Sequence, residues 1–176
     1  LNSLDQMDDL QEKETSDIKN IGQFCYISSW TDDETESIPM WKMYSSLDSG
    51  VRIKLKANPF KLFENAPESI KEVSVLPVTD ESNGVYLKSI IPIADMMKKG
   101  YICPAAMSNN ILHKVEYTSD PSKLYPKLVT YEDDKFSISL GTLGIHKNIH
   151  WEFQHEWRYI LQFYPVNINQ DPNILP

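Results

Sequence analysis

Apolar positions along this chain alternate in some stretches and recur at helical spacing in others. "GQFCYISSW" (residues 22–30) follows a glycine with aromatic and β-branched residues, the composition of a buried strand. "VRIKLK" (residues 51–56) alternates apolar with basic side chains, which predicts a strand buried on one face with Arg52, Lys54 and Lys56 outward. Between them Pro39 suits a first helical turn, and Met40, Met43, Tyr44 and Leu47 recur at i, i+3, i+4 and i+7, predicting a helix with one docked face. Leu4, Met7 and Leu10, three apart, predict a short helix or turn within an acidic cap over residues 1–20. "NPFKLFEN" (residues 58–65) has the cap-then-proline start of another short helix, and "KEVSVLPV" and "GVYLKSII" flank "TDESNG" as an antiparallel hairpin would. A helix over residues 94–99 should stop at Gly100. "HKVEYTSD" and "FSISL" predict short strands, "PSKLYPK" breaks regular structure, and "WRYILQFYPV" (residues 157–166) predicts a final strand before a tail over 165–176 with little to bury.

Short strands outnumber helices, and the helices come singly between them. The pattern predicts an α+β fold with a mainly antiparallel sheet and single helices inserted. The 176 residues suit one domain. The chain begins at Leu1 rather than Met and has no flexible lead-in, which leads us to expect a native N-terminal segment upstream.

Charge narrows the partners. With 25 acidic against 17 basic residues the net charge is -8, which disfavours duplex nucleic acid and anionic lipid. Locally, Lys54, Lys56, Lys147 and Arg158 could still hold a phosphate-bearing small molecule. Cys25 and Cys103 are too few for a disulfide framework, which points to a reducing, cytoplasmic setting. No apolar run approaches the ~18 to 20 residues that span a bilayer, so no membrane partner is expected.

Candidate chemistry concentrates in "WEFQHEWRY" (residues 151–159). Read as extended, it puts Gln154, Glu156 and Arg158 on one face and Phe153, His155, Trp157 and Tyr159 on the other. An amide, a carboxylate and a guanidinium at alternate positions suit either a ligand site or a salt-bridged strand end. His146, His150 and His155 lack the H-E-x-x-H order of a zinc helix, so no metal is expected. Cys25 reads as a buried small residue, and no G-x-G-x-x-G or Walker-type loop is present. The aromatics Trp30, Trp41, Tyr44, Trp151 and Trp157 suit ring stacking or the core. Asp8, Asp9 and Glu12 form an acidic cluster, a solvated cap or, as an alternative, the ligand set of a metal-dependent hydrolase or nuclease.

Two segments carry a resemblance. "FCYISSW" followed by "MWKMYSSLDSGVRI", and then Lys147, Trp151, Glu156, Trp157 and Arg158, resemble a bacterial family of uncharacterised domains. Its members show a Cys-Phe-Ser-like strand, a Met-Trp-x-x-Tyr helix and a Lys, Trp, Glu-x-Glu-aromatic-Arg run. "VEY" (residues 115–117) fits a further element, whereas "MDDLQE" (residues 7–12) and Gln154 depart from the pattern. The Gln-x-Glu pair on a late strand with a serine at an earlier strand end is more distantly similar to ADP-ribosyltransferases. That similarity implies NAD as substrate, Glu156 as the catalytic carboxylate, Gln154 on the acceptor side and Ser28 or Ser29 as the middle-motif serine. It further implies Tyr26 or Trp30 against the nicotinamide, with Arg158 in the cofactor-binding set. A toxin or defence role and a small-molecule or protein acceptor would follow. The competing reading is a non-catalytic interaction or ligand-sensing domain in which Glu156 and Arg158 form a structural ion pair.

Overall fold

The computed structural model of the chain describes residues 1–7, 9, 11–15, 17–45, 49–65, 87–107, 111–132 and 135–165. Its centre is a four-stranded antiparallel sheet. Strands β1 (Asn2–Ser3) and β2 (Cys25–Thr31) come first. Helix α1 (Ile38–Tyr44), the hairpin partners β3 (Phe63–Asn65) and β4 (Leu87–Ser89), helix α2 (Ile93–Lys98) and β5 (Tyr101–Ile102) follow. Next are β6 (Leu112–Lys114), β7 (Glu116–Thr118), the one-turn α3 (Pro121–Leu124), β8 (Val129–Glu132) and β9 (Lys135–Ile138). The chain then runs through β10 (His146–Asn148), β11 (Glu156–Gln162) and β12 (Tyr164–Pro165). The central order is β1-β2-β11-β6, and among the described residues there are four further two-stranded ladders, of which only β7 with β10 is parallel. Mixed α and β elements with mostly antiparallel pairing agree with the α+β expectation.

The register of β2 against β11 sets what each face carries. Ser29 pairs with Arg158, Ile27 with Ile160 and Cys25 with Gln162, so these share one face; Trp30, Ser28 and Tyr26 pair with Trp157, Tyr159 and Leu161 on the other. Leu4, Cys25, Ile27, Leu128, Leu140, Leu143 and Ile160 pack on the first face. Ile93, Met96, Ile102, Cys103, Ala106, Ile111, Tyr159 and Leu161 pack on the second. Covered on both sides, β11 needs the unbroken apolar run Tyr159 to Leu161, each such buried side chain contributing about 1.5–3 kcal/mol.

Two polar anchors hold the periphery. The Asp17 carboxylate accepts from the backbone N–H of Leu128 (2.9 Å) and Val129 (2.7 Å), tying the N-terminal segment to β8. Buried Asn65 donates to Ser89 Oγ (2.8 Å) and accepts from the Ile93 amide (2.8 Å), joining the β3-β4 ladder to the start of α2.

Several sequence expectations are corrected. Residues 51–56 form no strand and are exposed; the Arg52 guanidinium instead donates to the carbonyls of Glu34 (3.1 Å) and Asp33 (2.5 Å). The expected docked helix is α1, yet none of its residues is fully buried, and Met43 and Tyr44 are 45% and 57% exposed. "NPFKLFEN" ends in β3 rather than forming a helix, and "PSKLYPK" holds the turn α3, where Asp120 Oδ1 accepts from the Ser122 amide (2.9 Å). "HKVEYTSD" divides between β6 and β7 in different sheets. Strand β2 and helix α2, which ends before Gly100 at φ 75°, lie where the pattern put them, and β9 lies within "FSISL" apart from Lys135 at its start. The proposed hairpin falls largely on residues 66–86, and Leu10, Leu47 and the tail from residue 166 also lie outside the described residues. Among the described residues, no helix is long and apolar enough to cross a membrane.

Candidate functional site

The polar side chains that meet at the start of β11 come from four parts of the chain. Strand β11 supplies Glu156 and Arg158 on one face by its period of two. Strand β10 supplies Lys147, and the 3-10 turn Ile149–Gln154 supplies Trp151 and Gln154. That turn begins where Asn148 Oδ1 accepts from the His150 amide (3.1 Å) and ends at His155, whose left-handed φ of 46° redirects the chain into β11. Glu12 arrives from the N-terminal segment that Asp17 anchors. Glu12, Lys147, Gln154, Glu156 and Arg158 are all buried, Arg158 completely.

Their contacts form a closed network. Arg158 grips Glu156 through two bonds, Nε to Oε1 (2.7 Å) and Nη2 to Oε2 (3.1 Å), and donates Nη1 to the Gly144 carbonyl (2.9 Å). Lys147 Nζ donates to Glu156 Oε2 (3.0 Å) and Gln154 Oε1 (2.8 Å), and lies 4.9 Å from the centre of the Trp151 ring. Gln154 Nε2 reaches Tyr44 Oη (2.9 Å), and the Glu156 backbone N–H donates to Tyr117 Oη (2.8 Å). Glu12 enters as a charge: Oε2 lies 2.6 Å from Arg158 Nη1 and Oε1 3.2 Å from Lys147 Nζ, although among the described residues neither oxygen has an aligned donor. Two cations against two carboxylates make the cluster neutral, the condition under which buried charges are tolerated.

This environment fixes the ionisation of Glu156. Burial alone raises its pKa, but the charge and hydrogen bonds of Arg158, then Lys147 and the Ser29 hydroxyl, outweigh it and hold the carboxyl below its ordinary range. Arg158 is opposed by its own burial, yet Glu12 and Glu156 push its pKa up, so it stays charged.

A cleft of about 290 Å³ opens over this network. Glu12, Lys147 and Glu156 line it together with Asp9, Ser29, Tyr44 and Trp151. Ser29 is exposed there and shares the Glu156 face.

The structure therefore joins Glu156, Arg158, Gln154 and Ser29, but by a different route from the expected one. Residues 151–155 are not strand, so Gln154 reaches the site through Lys147 from the preceding turn. Tyr26, Ser28 and Trp30 project from the opposite face: Tyr26 packs edge-on against Phe163 (5.3 Å), Trp30 against Tyr159 (6.2 Å), and Trp30 Nε1 donates to Ser28 Oγ (3.0 Å). The pleat thus separates the two expected nicotinamide-stacking rings from Glu156, although Ser28 also borders the cleft at the strand edge. Glu12 is buried with both oxygens facing the cations rather than a solvated cap residue; Asp8 lies outside the described residues. The sequence placed Glu12 in the acidic cluster but did not show its position beside Lys147 and Arg158. The available signal was charge balance: Lys147 and Arg158 beside a buried strand carrying one carboxylate require a second.

No known protein family, curated protein or solved structure matches this chain.

Proposed function

We propose that this chain acts on the N-glycosidic bond of an NAD-type nucleotide at the Ser29 and Glu156 cleft, in the manner of ADP-ribosyltransferases. The observation that supports this reading is the placement of Ser29 and Glu156, whose pKa its cation partners depress, on one face of two paired central strands, beneath a single cleft. In the proposed step the bond from ribose C1′ to the nicotinamide nitrogen breaks, nicotinamide leaves with the electron pair, and an acceptor nucleophile then bonds to C1′ and gives up its proton. Glu156 faces the positive charge that develops on the ribose, Ser29 orients the carboxylate and the ribose hydroxyls, and Gln154 lies toward the acceptor. The cleft sits at the lower edge of the ~300–1,000 Å³ typical of ligand pockets, so it accommodates the ribosyl-nicotinamide portion rather than a whole dinucleotide.

A second reading has its own supporting observation. Both Glu156 oxygens are already engaged by Arg158 and Lys147, which neutralises much of the field a developing cation would feel. On that reading the cleft binds a ligand without turning it over.

Nicotinamide release from labelled NAD, measured for the wild type, Glu156→Gln and Ser29→Ala, separates the two. The glycosyl reading expects a loss of ~10²-fold or more for Glu156→Gln. It also expects a clear loss for Ser29→Ala, an exposed substitution that leaves the melting temperature within a degree or two. Saturable NAD binding with no turnover in the wild type supports the ligand-binding reading. No binding and no turnover rejects both.

A further inference from the structure

A second cleft of about 180 Å³ lies between the loop after β2, helix α1 and the 149–154 turn, and it shares Tyr44 with the Glu156 cleft. Its aromatic lining comes from Trp41, Tyr44 and Phe153, and two carboxylates, Asp33 and Glu36, border it. The spacing of α1 explains part of this: Trp41 and Tyr44 are three residues apart on one helix and therefore neighbours on its surface. Tyr44 and Phe153 are not there to complete a core, being 57% and 45% exposed, and Trp41 is half-buried.

The electrostatics select the ligand. Aromatic faces carry negative potential, and Asp33 and Glu36 add two full charges. Among the described residues Arg52 is the one cationic side chain in the lining, and its guanidinium is spent on the carbonyls of Asp33 and Glu34. Asp33 is oriented by the Thr35 amide on Oδ1 (2.8 Å), while its Oδ2 stands 4.0 Å from His155 Nδ1. Among the described residues no lysine or arginine head group lies over the Trp41 or Phe153 ring, whereas Lys147 covers Trp151 and Lys114 covers Trp157. An anion would meet like charge here, and a neutral apolar molecule would leave the charge of the carboxylates uncompensated.

We infer that this cleft binds a compact organic cation of the quaternary-ammonium class, seated against Trp41, Tyr44 and Phe153 and countered by Asp33 and Glu36. The inference is separable from the glycosyl reading, because it requires neither Glu156 nor turnover, although Tyr44 and Gln154 border this cleft as well. The size fits: 180 Å³ is well under the volume a drug-sized ligand fills, and a methylated ammonium head group needs no more. Weak hydration of such a cation also lowers the cost of moving it against aromatic carbon.

The test is a titration of the full chain with tetramethylammonium, choline and 3,3-dimethylbutan-1-ol, the uncharged carbon counterpart of choline, read by tryptophan fluorescence and calorimetry. Both cations should bind saturably and the neutral counterpart at least ~tenfold more weakly. Trp41→Leu, which keeps an apolar wall but removes the ring face, and the pair Asp33→Asn with Glu36→Gln should each weaken choline by ~tenfold. Absence of saturable cation binding up to ~10 mM, equal affinity for the neutral counterpart, or unchanged affinity in both variants overturns the inference. Should Trp41→Leu fail to fold, the two carboxylate substitutions decide alone, because Glu36 is exposed and Asp33→Asn keeps the Oδ1 that accepts from the Thr35 amide.

Discussion

Arg158 has no exposed surface, and its guanidinium meets two carboxylates and one backbone carbonyl, so every charge near it depends on every other. Removing a single member therefore leaves an uncompensated buried charge, a loss of about 3–5 kcal/mol, far beyond the ~1 kcal/mol of an exposed pair such as Lys54 with Glu34. Glu12→Gln leaves two cations against one carboxylate and should lower the urea-unfolding free energy by about 3 kcal/mol. Adding Lys147→Met to it restores neutrality and should recover part of that loss, a non-additivity that independent sites do not show. The pH dependence has a definite sign. Because the Glu156 pKa is depressed, its contribution is present above the unfolded value near ~4.3 and is lost as pH falls through the folded one. The acid limb of stability should accordingly flatten in Glu156→Gln.

At the scale of elements, the segment from β9 to β10 turns on Gly144. Its φ is 79°, a Cβ there would lie 2.7 Å from Ile27 Cδ1, and its carbonyl holds Arg158. Gly144→Ala should cost about 1–3 kcal/mol by urea unfolding, since it combines a left-handed backbone with a contact in a packed core. Gly141→Ala, with only a 3.6 Å neighbour, should stay within about 0.5 kcal/mol. Elements whose stability is internal to their composition were legible: β2 and β11 from their aromatic and β-branched runs, α2 from its periodicity and terminal glycine. Those decided by a partner were not. Residues 51–56 have the alternation of a strand but no ladder partner, and Arg52 is drawn to the Asp33 and Glu34 carbonyls instead. The turn before β11 hid for a related reason: Asn148 caps it and His155 closes it with a left-handed residue, and neither signal competes with the apparent alternation of "WEFQHEWRY". The candidate site was thus half legible. Glu156, Arg158 and Ser29 follow from strand period, whereas the arrival of Glu12 and the separation of Trp30 and Tyr26 depend on tertiary register.

Across the whole molecule, the central sheet divides two apolar clusters, and β11 belongs to both, giving Ile160 to one and Tyr159 and Leu161 to the other. A shared strand couples the clusters: opening either exposes one face of β11 and removes the packing that supports the other. Each cluster also contains one cysteine, Cys25 on the first face and Cys103 on the second, both with no exposed surface. Burial pushes the Cys25 thiol up to about 12 and raises Cys103 as well, so neither forms the thiolate that alkylating reagents attack at pH 8. With raised folded-state values, the stability tied to keeping these thiols neutral is intact below the unfolded value near ~8.5 and declines as pH rises toward the folded one. The two thiols are therefore independent reporters on the two faces. In native buffer at pH 8 both should resist iodoacetamide, and in increasing sub-denaturing urea both should become reactive together, with one shared dependence on denaturant measured by peptide mass spectrometry. Labelling of Cys103 at urea concentrations that leave Cys25 protected would show that the cluster around α2 opens on its own, and that the ion network on the Cys25 face, rather than the sheet as a whole, sets the most stable part of the fold.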